Sequence, residues 1–370
     1  MQIICRKTDL LNSVNIALRA VSSKTTLPIL ECLVIEASQN KIRLISNDQE
    51  LGIETIVKGQ IISEGNIAIN AKLFAEIIRK LPDSDVTVTT DENYMALIQC
   101  EKTKFNLMGK SSEEFPMLPQ IETEKSIRVS DYSLKEIIHQ TIFSVSDNEN
   151  NKIMTGELFE ISGDIFKVVS LDGHRISIRK IQLHQSYDDL RVIVPGKTLN
   201  EISKILSGEV DKIVTISFTE KHIMFSFDDT TVLSRLIEGE YYKIEQMLSD
   251  NYETKVTVNN KELLSCIDRA SLMIKEVDKT PIVMNFQDDS LQMRINSSIG
   301  SMKEEVDIRK EGKDIMIGFN PKFIMDALRV IDDETVDIYL FNPKAPCFIK
   351  DKEENYIYLI LPINFNAADV

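Results

Sequence analysis

Histidine is scarce in this chain, 4 in 370 residues, and cysteine is hardly commoner, with 5. A structural zinc site needs four such ligands closely spaced, yet Cys5, Cys32, Cys100, Cys266 and Cys347 are scattered, with no C-x-x-C pair. Their odd number argues equally against a disulfide framework, so buried, reduced thiols in an intracellular protein are expected. Glycine (13) and proline (10) are sparse, which excludes a fibrous or low-complexity sequence. No run of eighteen apolar residues exists to span a bilayer. The apolar patch in the N-terminal "MQIICRKTDLL" is too short for a signal-peptide core, and a cytoplasmic location is expected. Basic residues are also in deficit. With 43 Lys and Arg against 58 Asp and Glu the net charge is −15, which taken alone argues against a nucleic-acid partner. The signatures G-x-S-x-G, P-loop and H-E-x-x-H are missing as well.

What is present is a repeat. "INAKLFAEIIRKLPDSDVTVTT" from Ile69, "VPGKTLNEISKILSGEVDKIVTISF" from Val194 and "FNPKFIMDALRVIDDETVDIYL" from Phe319 share one plan: apolar residue, polar turn, lysine, amphipathic helix, acidic turn, alternating strand. Their lysines, Lys72, Lys197 and Lys322, lie 125 positions apart each time. A second helix precedes each segment, with matching leucines at Leu10, Leu134 and Leu263. Ser130 and Asn260 are expected N-caps, and Asp9 suits the positive end of the first helix dipole. Leu73, Ile77 and Leu81 are expected to form one apolar face, flanked by Phe74 and Ile78. Between helices the period changes to two, as in "VTVTT" (86–90) and "KIVTISF" (212–218). The reading is α+β, about two helices and eight strands per third, with domains at 1–125, 126–250 and 251–370.

Charge is segregated within this plan. The six helical windows together are mildly basic, so the acidic excess lies elsewhere. One at a time, these lysines read as solvated surface. In register, they point to a shared anionic partner.

The stretch "SLDGHRIS" (170–177) concentrates Asp172, Gly173, His174 and Arg175. A hydrolase triad arises from separated segments that converge, and no further ligands stand at metal spacing, so neither catalysis nor a metal is expected here. Asp-Gly is a tight-turn signal that leaves the neighbouring side chains free to bind. No cofactor is expected.

Eight short motifs in order resemble the bacterial replicative sliding clamp, the beta subunit of DNA polymerase III: "TLPIL" (26–30), "EEFPMLP" (113–119), "MTGELFE" (154–160), "LDGHRIS" (171–177), "VIVPGK" (192–197), "EGEYY" (238–242), "GFNP" (318–321) and "YLILP" (358–362). The resemblance implies a DNA-clamp fold of three repeated domains, each with two helices packed on antiparallel sheet. It also implies a head-to-tail homodimer closed as a ring around double-stranded DNA, non-catalytic and without sequence preference. Lys24, Arg79, Lys80, Asn148, Lys152 and Lys197 would lie near the DNA. Lys102, Lys104, Phe105 and Leu107 would meet Leu272, Met273, Glu304 and Glu305 across the subunit interface. Short peptide motifs of the replicative polymerase, the clamp loader and repair polymerases would enter a cleft. Its residues would be Met154, Leu171, Gly173, His174, Arg175, Ile176, Tyr242, Met247, Asn320, Phe323, Pro346, Leu359, Leu361, Pro362 and Ile363, with Arg175, His174 and Asn320 fixing the peptide's polar ends.

Two departures from the family pattern stand out. Tyr242 occupies a position where proline is frequent, and Asn364 followed by "FNAADV" stands where the family commonly ends with a basic residue. Two alternatives remain open from the residues. One is a clamp-derived peptide-binding hub that does not encircle DNA, and the other is an enzyme using Asp172 and His174.

Overall fold

Asparagine starts three of the helices. The Asn70, Asn259 and Asn320 side chains accept hydrogen bonds from the backbone N–H groups of Leu73, Glu262 and Lys322, while the Ser130 hydroxyl accepts from Ser133. Among the described residues the helices are α1 (Lys7–Ala17), α2 (Ala71–Lys80), α3 (Asp131–His139), α4 (Gly196–Ile205), α5 (Asn260–Ser271) and α6 (Pro321–Arg329). The cap of α5 is Asn259, one residue before the expected Asn260. Either asparagine satisfies the sequence rule, and only Asn259 has the extended backbone a cap requires. The computed structural model describes residues 1–22, 25–119, 121, 125–249, 251–274 and 280–365.

The chain gathers into two compact units, one of Met1–Leu134 with Asn200–Leu236, the other of Lys135–Leu199 with the chain from Ile237 onward. The first unit holds a five-stranded antiparallel sheet running from Gly59–Ser63 to an outer strand Thr103–Met108. It also holds an eight-stranded sheet in which Thr230–Arg235 pairs with Leu51–Val57, so the sheet runs across the 125/126 position in sequence. Ile3, Leu10, Val14, Leu33, Phe74, Ile78, Val88 and Ile98 make one of its cores. In α2 the buried stripe is Ala71, Phe74, Ala75 and Ile78, with Ile77 and Leu81 at its margin. Leu73, expected inside, is 48% exposed because it lies beyond the stripe's edge.

The second unit is a ten-strand array that begins with the hairpin Gly156–Leu171 and Arg175–Pro195 and ends at Ile315–Phe319. Its largest core packs α5 and α6 through Leu263, Cys266, Ile267, Ile324 and Leu328 against strand residues including Met284, Phe286 and Tyr358. All five cysteines are buried and unpaired, and burial raises the thiols of Cys5, Cys266 and Cys347 to about 12, which keeps them unreactive.

One tie recurs three times with different chemistry. The first residue of α1, Lys7, donates from Nζ to the Leu81 carbonyl just past α2 (2.5 Å). Asp131, the first of α3, accepts from the Ser207 and Gly208 N–H groups just past α4 (3.2 and 2.5 Å). Asn260, the first of α5, donates from Nδ2 to the Leu328 and Ile331 carbonyls at the end of α6 (3.3 and 2.7 Å). Lys7 and Asn260 satisfy carbonyls at a helix end, Asp131 satisfies amides of the turn that follows α4, and each side chain so ties down the end of the second helix of its pair. Asn260→Leu removes two such bonds in a buried place and should cost about 1–3 kcal/mol, read as a lowered urea midpoint. Lys7→Met should cost less, since the Leu81 carbonyl is only partly buried.

Glu157 is a second buried polar feature. It is fully buried in the strand Gly156–Leu171, and neither carboxyl oxygen has a hydrogen-bond partner. The Thr141 hydroxyl beside it donates instead to the Ile137 carbonyl at 2.8 Å. Burial pushes the Glu157 carboxyl well above its ordinary range. The folded state therefore holds this proton more tightly than the unfolded chain. The Glu157 contribution to stability should be greatest below the ordinary carboxylate range and decline as pH rises through the raised value. Glu157→Gln should remove that decline in urea midpoints measured across pH, and a slope unchanged by the substitution would contradict this assignment.

Candidate functional site: a cleft built on one turn

The hairpin turn after Leu171 is organised by Asp172. Its Oδ1 accepts from the backbone N–H groups of His174 (2.9 Å) and Arg175 (3.1 Å), and its Oδ2 accepts from Arg175 Nε (2.9 Å). Gly173 has φ +90° with open space around it, so backbone conformation and not crowding calls for glycine. Ser170, two residues before Asp172, is buried, and its hydroxyl donates to the Thr141 carbonyl at 2.6 Å. The polar residues of this stretch thus do not converge. Asp172 and Ser170 are each committed to different backbone groups.

Arg175 is the strut of the site. Besides Asp172, it donates from Nη1 to Asp326 Oδ2 on α6 (2.7 Å) and from Nη2 to the Phe143 carbonyl. Its guanidinium lies 4.5 Å from the Phe323 ring centroid and 5.3 Å from that of Phe143. The side chain is only 8% exposed. Its charge is paired and its face covered within the chain. Asn320 is similarly engaged, its side-chain oxygen capping α6. The His174 ring stacks on Phe323, centroids 6.0 Å apart, and its carbonyl accepts from the Leu361 N–H at 2.9 Å.

All the cleft residues named from sequence fall in the second unit. Leu171, Ile176 and Leu359 are buried in a core with Ile178, Ile193, Tyr241 and Ile244. Tyr242, Met247 and Leu361 are exposed, while Met154, Phe323, Pro346, Pro362 and Ile363 are half-buried. Tyr242 accepts a hydrogen bond from Asn151 Nδ2 at 2.7 Å and packs edge-on against Tyr241. Tyr241 is itself pinned by its hydroxyl to the Gly156 and Val169 carbonyls. Methionine, aromatic and aliphatic side chains of the second unit are thus partly or fully open to solvent, while the polar groups of the turn are internally satisfied. The roles of Asp172, Asp326 and Phe143 escaped the sequence reading. Asp326 and Phe143 lie far from Arg175 along the chain, and no local pattern marks them.

The other expected positions are placed as follows. Arg79 and Lys80 are exposed in the last turn of α2, where Arg79 pairs with Glu76. Asn148 and Lys152 are exposed around the short turn Lys152–Thr155, Lys197 is exposed in α4, and Lys24 lies outside the described residues. On the outer strand Thr103–Met108, Lys104 and Phe105 are exposed but Leu107 is buried, since only the Leu107 end of that face overlies the core. Lys102 is exposed in the turn before it. Leu272 is 72% exposed, whereas Met273 packs on the second unit's core. Glu304 pairs with Arg269, which holds its carboxyl below the usual range, and Glu305 accepts from the Ser290 hydroxyl.

Removing Arg175 tests the frame. Arg175→Met leaves Asp172 without its cation and Asp326 with only Arg329, 3.9 Å away, in a largely buried place, and should cost about 3–5 kcal/mol. His174→Ala should cost under about 1 kcal/mol, because the exposed turn keeps its backbone bonds. Urea midpoints of the two variants compare them directly.

Comparison with known proteins agrees with this architecture. The chain matches the DNA polymerase III beta subunit family in three successive pieces: the N-terminal domain over residues 1–119, the central domain over 128–243 and the C-terminal domain over 245–364. A beta sliding clamp of Staphylococcus epidermidis is 34% identical over 374 residues, covering 98% of this chain and 99% of the relative. A structure from Eubacterium rectale described as a putative DNA polymerase III beta subunit superposes with a TM-score of 0.95 at 60% identity, covering 99% of this chain and all of the other. A sliding clamp of Pseudomonas aeruginosa solved with griselimycin shares the fold, with a TM-score of 0.93 at 22% identity over 99% of this chain and all of the other. The chain therefore belongs to the DNA polymerase III beta subunit family, the non-catalytic DNA sliding clamps of bacterial replication.

Proposed function

We propose that two copies of the chain close head to tail into a ring that encircles duplex DNA in the cytoplasm and tethers the replicative polymerase to it. The three repeats are taken to divide near 125 and 250. The edge around Phe105 and Lys104 of one copy would meet Leu272 and Met273 of the other. The clamp loader and repair polymerases, like the replicative polymerase, would dock short peptides on the rim of Met154, Tyr242, Met247, Phe323 and Leu361. Arg79, Lys80, Lys152 and Lys197 would face the phosphates.

The observation that carries the DNA reading is a repeated electrostatic misplacement. Lys72, Lys197 and Lys322 are each the second residue of their helix, α2, α4 and α6, and each is exposed. A cation at the positive end of a helix dipole costs roughly 0.3–1 kcal/mol. Helix stability is thus no reason for a lysine at all three places, whereas an anion spread along the helix starts is. Phosphate binding of this kind carries no sequence information, which sliding demands, and a net charge of −15 keeps the rest of the surface from holding DNA too strongly.

The test is the triple variant Lys72→Ala, Lys197→Ala, Lys322→Ala. Its thermal midpoint should stay level or rise, while the salt dependence of its DNA affinity should flatten by about 0.9 in logarithmic slope for each phosphate no longer neutralised. An unchanged slope would remove these lysines from the DNA path. By light scattering the unaltered protein should have twice the mass of one chain at micromolar concentration, and a monomer there would contradict the ring.

A further inference from the structure

The end of the described chain leaves the array by a route that its neighbours make possible. Strand Tyr356–Ile360 pairs with Arg175–Pro195, and the chain then crosses to Ile315–Phe319, the last strand at the far end of the array. It is fastened at two points: Leu361 N–H donates to the His174 carbonyl at 2.9 Å, and Ile363 N–H donates to the Gly318 carbonyl at 2.7 Å. Pro362, between them, has no N–H to leave unsatisfied. The second fastening covers part of a strand edge that would otherwise stand bare.

Gly318 is the seat of this strap. A Cβ there would lie 2.7 Å from the Ile363 carbonyl oxygen and 2.9 Å from Cδ1 of the Phe365 ring, closer than a side chain can come. Gly318 is not among the residues with positive φ, so the glycine serves the close approach and not the backbone. Phe365 closes over the notch and lies half-buried beside it, near Pro281. The strap's Pro362 and Ile363 belong to the cleft rim, so whatever seats the strap also sets the position of that wall.

We propose that Gly318 and Phe365 are positioning residues of the peptide cleft, holding the Pro362–Ile363 wall so that this end of the cleft selects an apolar side chain of an extended peptide. The inference rests on the peptide-docking reading above and adds to it a seat outside the cleft that governs one end of the specificity. Tyr242, by contrast, packs on Tyr241, whose hydroxyl bonds to the Gly156 and Val169 carbonyls, and none of these contacts involves the strap.

The experiment pans a random linear heptapeptide library over the full-length protein and over two variants, Gly318→Ala and Phe365→Ala. The unaltered protein should select peptides with two apolar anchors. Both variants should keep one anchor and relax the other, and should bind the unaltered protein's consensus peptide roughly tenfold more weakly. Uniform weakening with both anchors retained would indicate a merely structural role and overturn the proposal. So would an identical consensus bound within about twofold. Should Gly318→Ala fail to fold, Phe365→Ala decides alone, because truncating a half-buried ring adds no clash. A protein that selects no peptide at all would overturn the docking reading and this inference together, whereas an unchanged consensus sinks the strap alone.

Discussion

A helix pair has to be held at both ends before it can present anything, and in each repeat that is done from the first residue of the first helix. Lys7, Asp131 and Asn260 occupy the same place three times and reach the end of the second helix by three chemistries: a cation on a carbonyl, a carboxylate on two amides, and an amide on two carbonyls. What is preserved across the repeats is the tie and not the residue. Once the second helix has a fixed end its start is fixed too, and there the chain places Lys72, Lys197 and Lys322 against the dipole. Small electrostatic costs tolerated three times in register are better evidence of purpose than any single basic residue, which on its own reads as solvated surface.

The cleft follows a different logic. Its polar residues serve the frame, and its apolar residues are left at the rim. Arg175 joins the turn at Asp172, the helix α6 at Asp326 and the Phe143 carbonyl, with aromatic rings on its flanks. Such a residue resembles a ligand-binding guanidinium in sequence and acts as a strut in three dimensions. In the proposed docking role, Met154, Tyr242, Met247 and Leu361 would supply the adaptable side chains that a site shared by several partners requires.

Much of the fold was legible because it is periodic. Amphipathic stretches at period 3.6 and strands at period two announced the helices and sheets, and the register of the lysines disclosed the repeat. The misses are local or long-range. Asn260 was read as a cap where Asn259 is, an error of one residue that any pair of neighbouring asparagines invites. Leu73 was drawn into the buried face because it is apolar, although it lies past the stripe's edge. Leu107 was read as an interface residue beside Phe105, and a buried core lies under one and not the other. The partners of Arg175 and the notch at Gly318 had no signature at all, since Asp326, Phe143 and Phe365 reach them only through the fold. Motif order therefore singles out residues of one unit, while the contacts each of them makes come only from the fold.

The central claim is topological: the protein holds DNA by surrounding it, with phosphate interactions too weak to hold it otherwise. The most direct measurement loads the protein onto nicked circular DNA with a bacterial clamp loader and ATP, isolates the complex, and cuts the circle once. The account predicts stable retention on the circle and rapid release from the linear ends. Equal retention before and after the cut would mean that the protein adheres to DNA without encircling it, and would contradict the account.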